Sequence, residues 1–177
     1  MAENKPSQHY PLNAPAFKEC LEREVYLSVH TWQEDPRIDL RQYRDGYPTP
    51  KGCILNASRW AVLRDHLHEI REEMTLVQGG KSDVDYQIHL GGNVYAAVKY
   101  PYAILDIRLR FMKDGALKHT TKGVTLRSEG FKKLNELACR IDVTIPRTTP
   151  CHVTHKEDDD EMAALNCKEC SPDTYML

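Results

Sequence analysis

Between Lys99 and Lys122 six cations recur with aromatic rings among them: Lys99, Arg108, Arg110, Lys113, Lys118 and Lys122, interleaved with Tyr100, Tyr102 and Phe111. Cations spaced along a groove meet phosphates and flat side chains stack on bases, which is the chemistry of single-stranded nucleic-acid binding. In an extended chain Arg108 and Arg110 share one face, opposite Leu105, Ile107 and Leu109. That face is not core. It is either a ligand surface or a solvated face balanced by Asp106 and Asp114.

Other chemistries find less support. Cys151-His152-x-x-His155 and Cys167-x-x-Cys170 offer side chains that suit zinc. The five consecutive acids between them, Glu157 to Glu161, and the lack of a knuckle framework argue for free thiols instead. No metal and no cofactor is expected. His66 and His68 fall on a charged helix surface, and no nucleophile elbow, phosphate loop or paired-carboxylate motif occurs, so the chain does not read as an enzyme.

The formal charge of −2 over 177 residues conceals an asymmetry. Residues 84–143 hold ten basic and six acidic side chains, residues 20–74 hold eight and ten, and residues 144–177 hold three and seven. A basic module beside an acidic tail suggests a polyanion site with an internal competitor, or a tail that only keeps the chain soluble. Apolar residues make up 41%, as in an ordinary globular protein. No apolar run approaches the roughly 20 residues needed to span a bilayer, so no membrane partner is expected. The first twenty residues lack a basic and an apolar signal region. With that reading the six cysteines are expected as reduced thiols.

The elements that must position these groups come in two rounds. Val25 to Trp32 and Arg37 to Arg44 alternate as strands, separated by an acidic turn at Gln33-Glu34-Asp35-Pro36. Asp45 to Pro50 reads as a loop and Gly52 to Leu55 as a short strand, with Phe17 to Leu21 as a candidate first strand. Asn56 is a plausible N-cap for a helix whose apolar stripe is Trp60, Leu63, Leu67, Ile70 and Met74. Residues 78–85, with Gly79-Gly80, form a linker. Strands then follow at 86–90, 93–100, 103–111 and 122–126, and a helix from Ser128 to Ile141 carries Phe131, Leu134 and Leu137. The order repeats, and Leu55 to Trp60 spans the same interval as Leu126 to Phe131. Trp60 and Phe131 therefore belong to the core. Trp32, at a strand end, either stacks on a ligand or covers the sheet edge.

The expected fold is α+β: two tandem copies of a curved four-stranded antiparallel sheet with one closing helix, forming an internal pseudo-dimer whose helices pack on each other. The expected divisions are a disordered lead-in at 1–15, copies at 16–77 and 86–145, and an acidic, disordered tail at 146–177. Exchange of copies between chains, giving a homodimer, is the alternative.

The ordered set of motifs resembles the transcriptional positive cofactor four family of single-stranded-DNA-binding coactivators. Tyr86-Gln87-Ile88 is similar to the family's opening, and Tyr26-Leu27-Ser28-Val29-His30 to its next strand. Ile38-Asp39-Leu40-Arg41-Gln42-Tyr43 and Leu105-Asp106-Ile107-Arg108 are similar to the third. Lys51-Gly52 with Trp60, and Lys122-Gly123, complete the pattern over residues 16–143. The resemblance implies nucleic-acid contacts at His30, Trp32, Arg41, Arg44 and Lys51 in the first copy, with Tyr43 beside them. In the second copy it implies Lys99, Arg108, Phe111, Lys118 and Lys122. It also implies a nuclear location, or a cytoplasmic one for a viral or bacterial chain, and single-stranded DNA as ligand, with RNA and transcription proteins as further candidate partners. His30 stands where the family has arginine, and Glu34-Asp35 occupy a turn the family makes basic, so binding should lean on the second copy. A protein-interaction module that kept the fold and lost tight nucleic-acid binding is the competing reading.

Overall fold

In the computed structural model, which describes residues 14–32 and 34–145, two four-stranded antiparallel sheets follow one another along the chain. The first comprises β1 (Phe17–Glu22), β2 (Val25–Trp32), β3 (Asp35–Arg44) and β4 (Tyr47–Leu55) in that spatial order. The second comprises β5 (Asp85–Gly91), β6 (Val94–Lys99), β7 (Tyr102–Lys113) and β8 (Ala116–Leu126), again in order. Helices α1 (Ala57–Asp65) and α2 (Leu67–Gln78) close the first copy, and α3 (Ser128–Thr144) closes the second. The α+β tandem is as expected. The expected lead-in, apart from residues 14 and 15, and the tail with its Cys and His residues lie outside the described residues.

β3 begins at Asp35, inside the expected turn, and β8 at Ala116 instead of residue 122; two further differences have a local reason. The segment Asp45 to Pro50 is not a loop. Asp45 and Gly46 (φ 52° and 81°) alone make the turn, and β4 begins at Tyr47. Positive φ at both central residues is the two-residue hairpin geometry that Asp-Gly favours. Asp114-Gly115 (φ 54° and 72°) turns β7 into β8 in the same way. Pro48 and Pro50 are tolerated because β4 is an edge strand with a register shift opposite Arg41–Tyr43. The second difference is the helix of the first copy, which breaks at His66. The His66 Nδ1 atom lies 2.8 Å from the carbonyl of Val62, four residues back, and the His66 backbone N–H turns to Leu63 instead (3.2 Å). The expected stripe survives the break, with Trp60, Leu63, Leu67, Ile70 and Met74 all buried. Asn56 caps α1 by accepting the Arg59 N–H at 2.9 Å.

The copies cover each other. α2 lies on β6 and β7 of the second sheet and α1 reaches β5, while α3 lies on β1 of the first. Tyr86 of β5 donates its hydroxyl to Glu69 of α2 (2.7 Å), and Arg140 of α3 donates to Glu19 of β1 (2.7 Å) while resting on the Phe17 ring. The helices also meet directly and antiparallel. Trp60 Nε1 and Arg64 Nε donate to the two oxygens of Asp142 (2.8 and 2.9 Å), and at the other end Gln78 donates to Ser128 (2.6 Å). The edge strands β4 and β8 lie side by side. Buried residues of both copies consequently form one hydrophobic cluster.

Glycine is required where the hairpins are pinched. A Cβ on Gly123 would stand 2.6 Å from the carbonyl oxygen of Ile107 and 2.8 Å from the Arg108 Cα, both backbone atoms that cannot swing aside. Gly52 meets Leu40 and Arg41 in the same way. Gly123→Ala is therefore expected to destabilise the chain by about 1–3 kcal/mol, as overpacking does. The shift of the urea midpoint measures it, and a midpoint equal to that of the wild type would contradict the assignment.

Candidate nucleic-acid interface

Each copy carries the same hydrogen-bonded strut beneath its Lys-Gly step. In the first, Arg41 Nε donates to both oxygens of Asp39 (2.9 and 3.2 Å) and Nη1 donates to the Thr49 carbonyl (2.9 Å). Thr49 Oγ1 donates to the Gln42 carbonyl (2.7 Å) and accepts the Lys51 N–H (3.2 Å). In the second, Arg108 Nε donates to Asp106 (3.1 and 3.2 Å) and Nη1 to the Thr120 carbonyl (2.9 Å). Thr120 Oγ1 donates to the Leu109 carbonyl (2.7 Å) and accepts the Lys122 N–H (3.1 Å). Asp-x-Arg on one strand and Thr-x-Lys-Gly on the next thus form one unit, present twice. It pins the backbone of Lys51 and Lys122 while leaving both side chains exposed.

The strut also reduces what the arginines can offer a ligand. The Arg41 and Arg108 side chains are only 21% and 20% exposed, and each is held by a carboxylate two residues away. They are mainly positioning groups with a partly open rim.

Elsewhere the candidates separate into exposed and enclosed. Lys113 and Lys118 are exposed on the β7–β8 hairpin, where Phe111, 42% exposed, sits opposite Lys118 in register. This hairpin is longer than that of the first copy: Arg41 bonds a carbonyl eight residues on, and Arg108 one twelve residues on. Lys99 pairs with Asp85 at 2.7 Å on the surface, a contact that water and salt weaken. Arg44 is exposed where β3 enters its turn. His30 is buried, with its Nε2 atom 2.8 Å from Ser28 Oγ, so it is set back from any phosphate. Trp32 lies in β2, and its side chain lies outside the described residues.

Arg110 departs most from the sequence reading. It does share a face with Arg108, but that face is not open there, because Gln87, Tyr95 and Asp106 close around it. The Arg110 side chain is 2% exposed, and burial pulls its pKa below the usual arginine value. Its guanidinium donates to Gln87 and stands 5.4 Å from the Tyr95 ring centre. The first copy has the mirror solution. There Lys18 of β1 stands 3.7 Å from the ring centre of Tyr43 and 4.7 Å from that of Tyr26, and the two rings meet edge-on at 4.8 Å. Register equates Tyr26 with Tyr95, Lys18 with Gln87 and Tyr43 with Arg110. The cation near the ring position common to both copies comes from opposite strands in the two.

The structure brings Lys51 and Arg108 from different copies to one cleft of about 660 Å³, with Arg23, Arg127 and Tyr102 on its walls. The sequence reading did not select Arg23 or Arg127. They lie in a turn and at a helix start, far from the basic run, and only the approach of the copies joins them to it. A second, apolar groove of about 420 Å³ runs between α2 and α3 past Met74 and Phe131.

Cys53, beneath the same junction, donates weakly to the Ile107 carbonyl of the other copy (3.8 Å). Burial, reinforced by Asp39, pushes its thiol up to about 12, so almost none of it is thiolate near neutrality. Alkylation at pH 8 followed by peptide mass mapping is expected to modify the exposed Cys20 and Cys139 and to spare Cys53 until denaturant is added. Labelling of Cys53 at the rate of the other two would contradict its burial. Compared with known proteins, the chain matches no family model and no curated protein.

Proposed function

We propose that this chain binds single-stranded nucleic acid, DNA in the first instance, through phosphate contacts and base stacking with little sequence preference. One observation carries the reading. Lys51, Lys113, Lys118 and Lys122 are exposed and have no ion-pair partner among the described residues, and they stand on two hairpins beside the exposed rings of Phe111 and Tyr102. Cations held at fixed spacing beside rings are what an unpaired strand requires. The likeness to the transcriptional positive cofactor four family supports a coactivator role, with a nuclear site of action and transcription proteins as partners. The proposal is for a binding protein and not an enzyme.

The protein-interaction reading has its own support. Arg41, Arg108 and Lys99 are each matched by a carboxylate, His30 is buried and Arg110 is enclosed. A surface neutralised to that extent suits a protein partner better than a polyanion.

Titration of labelled oligo-dT against the full chain at increasing salt separates the two. Single-strand binding is expected to weaken linearly on a log–log plot, and replacing both Lys113 and Lys118 by alanine should lower the slope by about 2, one unit per phosphate contact. Absence of binding at low salt would exclude the nucleic-acid reading and leave the protein-interaction module.

A further inference from the structure

Because the copies cover each other reciprocally, each position at one junction between them has an equivalent at the other. The cleft at the first junction is bounded by the β1–β2 turn and β4 on one side and by β7 and β8 on the other. At about 660 Å³ it falls within the roughly 300–1,000 Å³ of small-ligand sites. Its basic side chains are Arg23, Lys51, Arg108 and Arg127, and Tyr102, 68% exposed, supplies a flat ring. Of its two acids, Glu22 and Glu24, the first is committed: its carboxylate accepts the Arg127 N–H at 2.6 Å.

The equivalent positions at the second junction have other chemistry. Gln42 corresponds to Leu109, Thr121 to Pro50 and Thr125 to Ile54, as the strand registers align them. Arg127, at the start of α3, corresponds to Asn56 at the start of α1. The Arg23-Glu24 turn becomes Gly92-Asn93. One junction therefore offers four cations among hydrogen-bonding side chains. The other offers Lys122, Arg41 and Arg37, with Arg59 lying against Gly92, but Asp35 stands at the place of Tyr102 and pairs with Arg37 (3.5 Å).

We infer that the first junction is a single, asymmetric seat for one nucleotide unit of a bound strand, its phosphate held by Lys51, Arg23 and Arg127 and its base on Tyr102. The inference rests on the single-strand reading and goes beyond it. Two identical units would offer a strand two identical seats and no preferred direction. This chain offers one seat, so it takes one strand in one polarity.

The pseudo-symmetry supplies its own control, since Lys51 and Lys122 are both exposed and occupy matching places. Fluorescence anisotropy with oligo-dT is to be measured on the full chain and on Lys51→Ala, Lys122→Ala and Tyr102→Ala, with circular dichroism confirming that each variant is folded. Lys51→Ala is expected to weaken binding roughly tenfold and Lys122→Ala less than roughly threefold, because the seat lacks Lys122. Tyr102→Ala should cost roughly five- to a hundred-fold, the usual worth of one stacked base. An oligonucleotide with a photoreactive thymine near one end should crosslink to Tyr102 from that end only. Equal losses at Lys51 and Lys122, or equal crosslinking from both ends, would overturn the asymmetric seat while leaving single-strand binding intact. A wild-type chain that binds no oligonucleotide would remove both readings.

Discussion

Neither copy could bury its own apolar surface, and that constraint shapes the molecule. A unit of about 60 residues encloses little core, and a single sheet with one helix leaves much of each apolar face open. Here the helices of one copy are laid on the sheet of the other, α2 on β6 and β7, α3 on β1, and the two halves share one cluster of buried side chains. The contact points have diverged in complementary fashion. At one end Gly130 makes room for Glu22, whose carboxylate serves the start of α3, where Arg127 makes no side-chain cap of its own. At the equivalent end Arg59 stands at the place of Gly130 and lies against Gly92, next to the glycine at the place of Glu22, and a Cβ on Gly92 would overlap its guanidinium. Each copy is shaped for the other and not for a second version of itself.

From this pairing follows the character of the surface. The duplicated Asp-Arg-Thr strut fixes two lysines at matching places, yet the side chains around them differ. The second copy has the longer hairpin, which carries Phe111, Lys113 and Lys118. The first has a shorter hairpin with prolines on an edge strand. The outcome is a pseudo-dimer with unlike halves, and its electrostatics are concentrated at one junction and one hairpin.

Much of the fold could be read from residue order. Asp-x-Arg followed by Lys-Gly and an aromatic helix position occurs twice, and period-3.6 burial from Trp60 to Met74 survives even a helix break. What could not be read lay in long-range approach. The reciprocal seating of helices depends on which sheet each stripe meets, and alternation does not record that. The enclosure of Arg110 depends on Gln87 and Tyr95 arriving from β5 and β6, whereas its own strand marked only which face it occupies. Arg23 and Arg127 were invisible as site residues because a turn and a helix start carry no pattern of their own. The two prolines of β4 read as loop because proline is rare in sheets, and only its place at an edge explains them.

Reciprocal coverage is tested most directly by native-state hydrogen exchange, comparing the wild type with Leu134→Ala in α3. Leu134 is fully buried in the shared core. If the halves stabilise one another, the slowest amides of β2 and β3 and those of β6 and β7 open with a common free energy, and the substitution lowers both by the same amount, about 2–5 kcal/mol. A loss confined to the amides of one sheet would show two independent units and contradict the account.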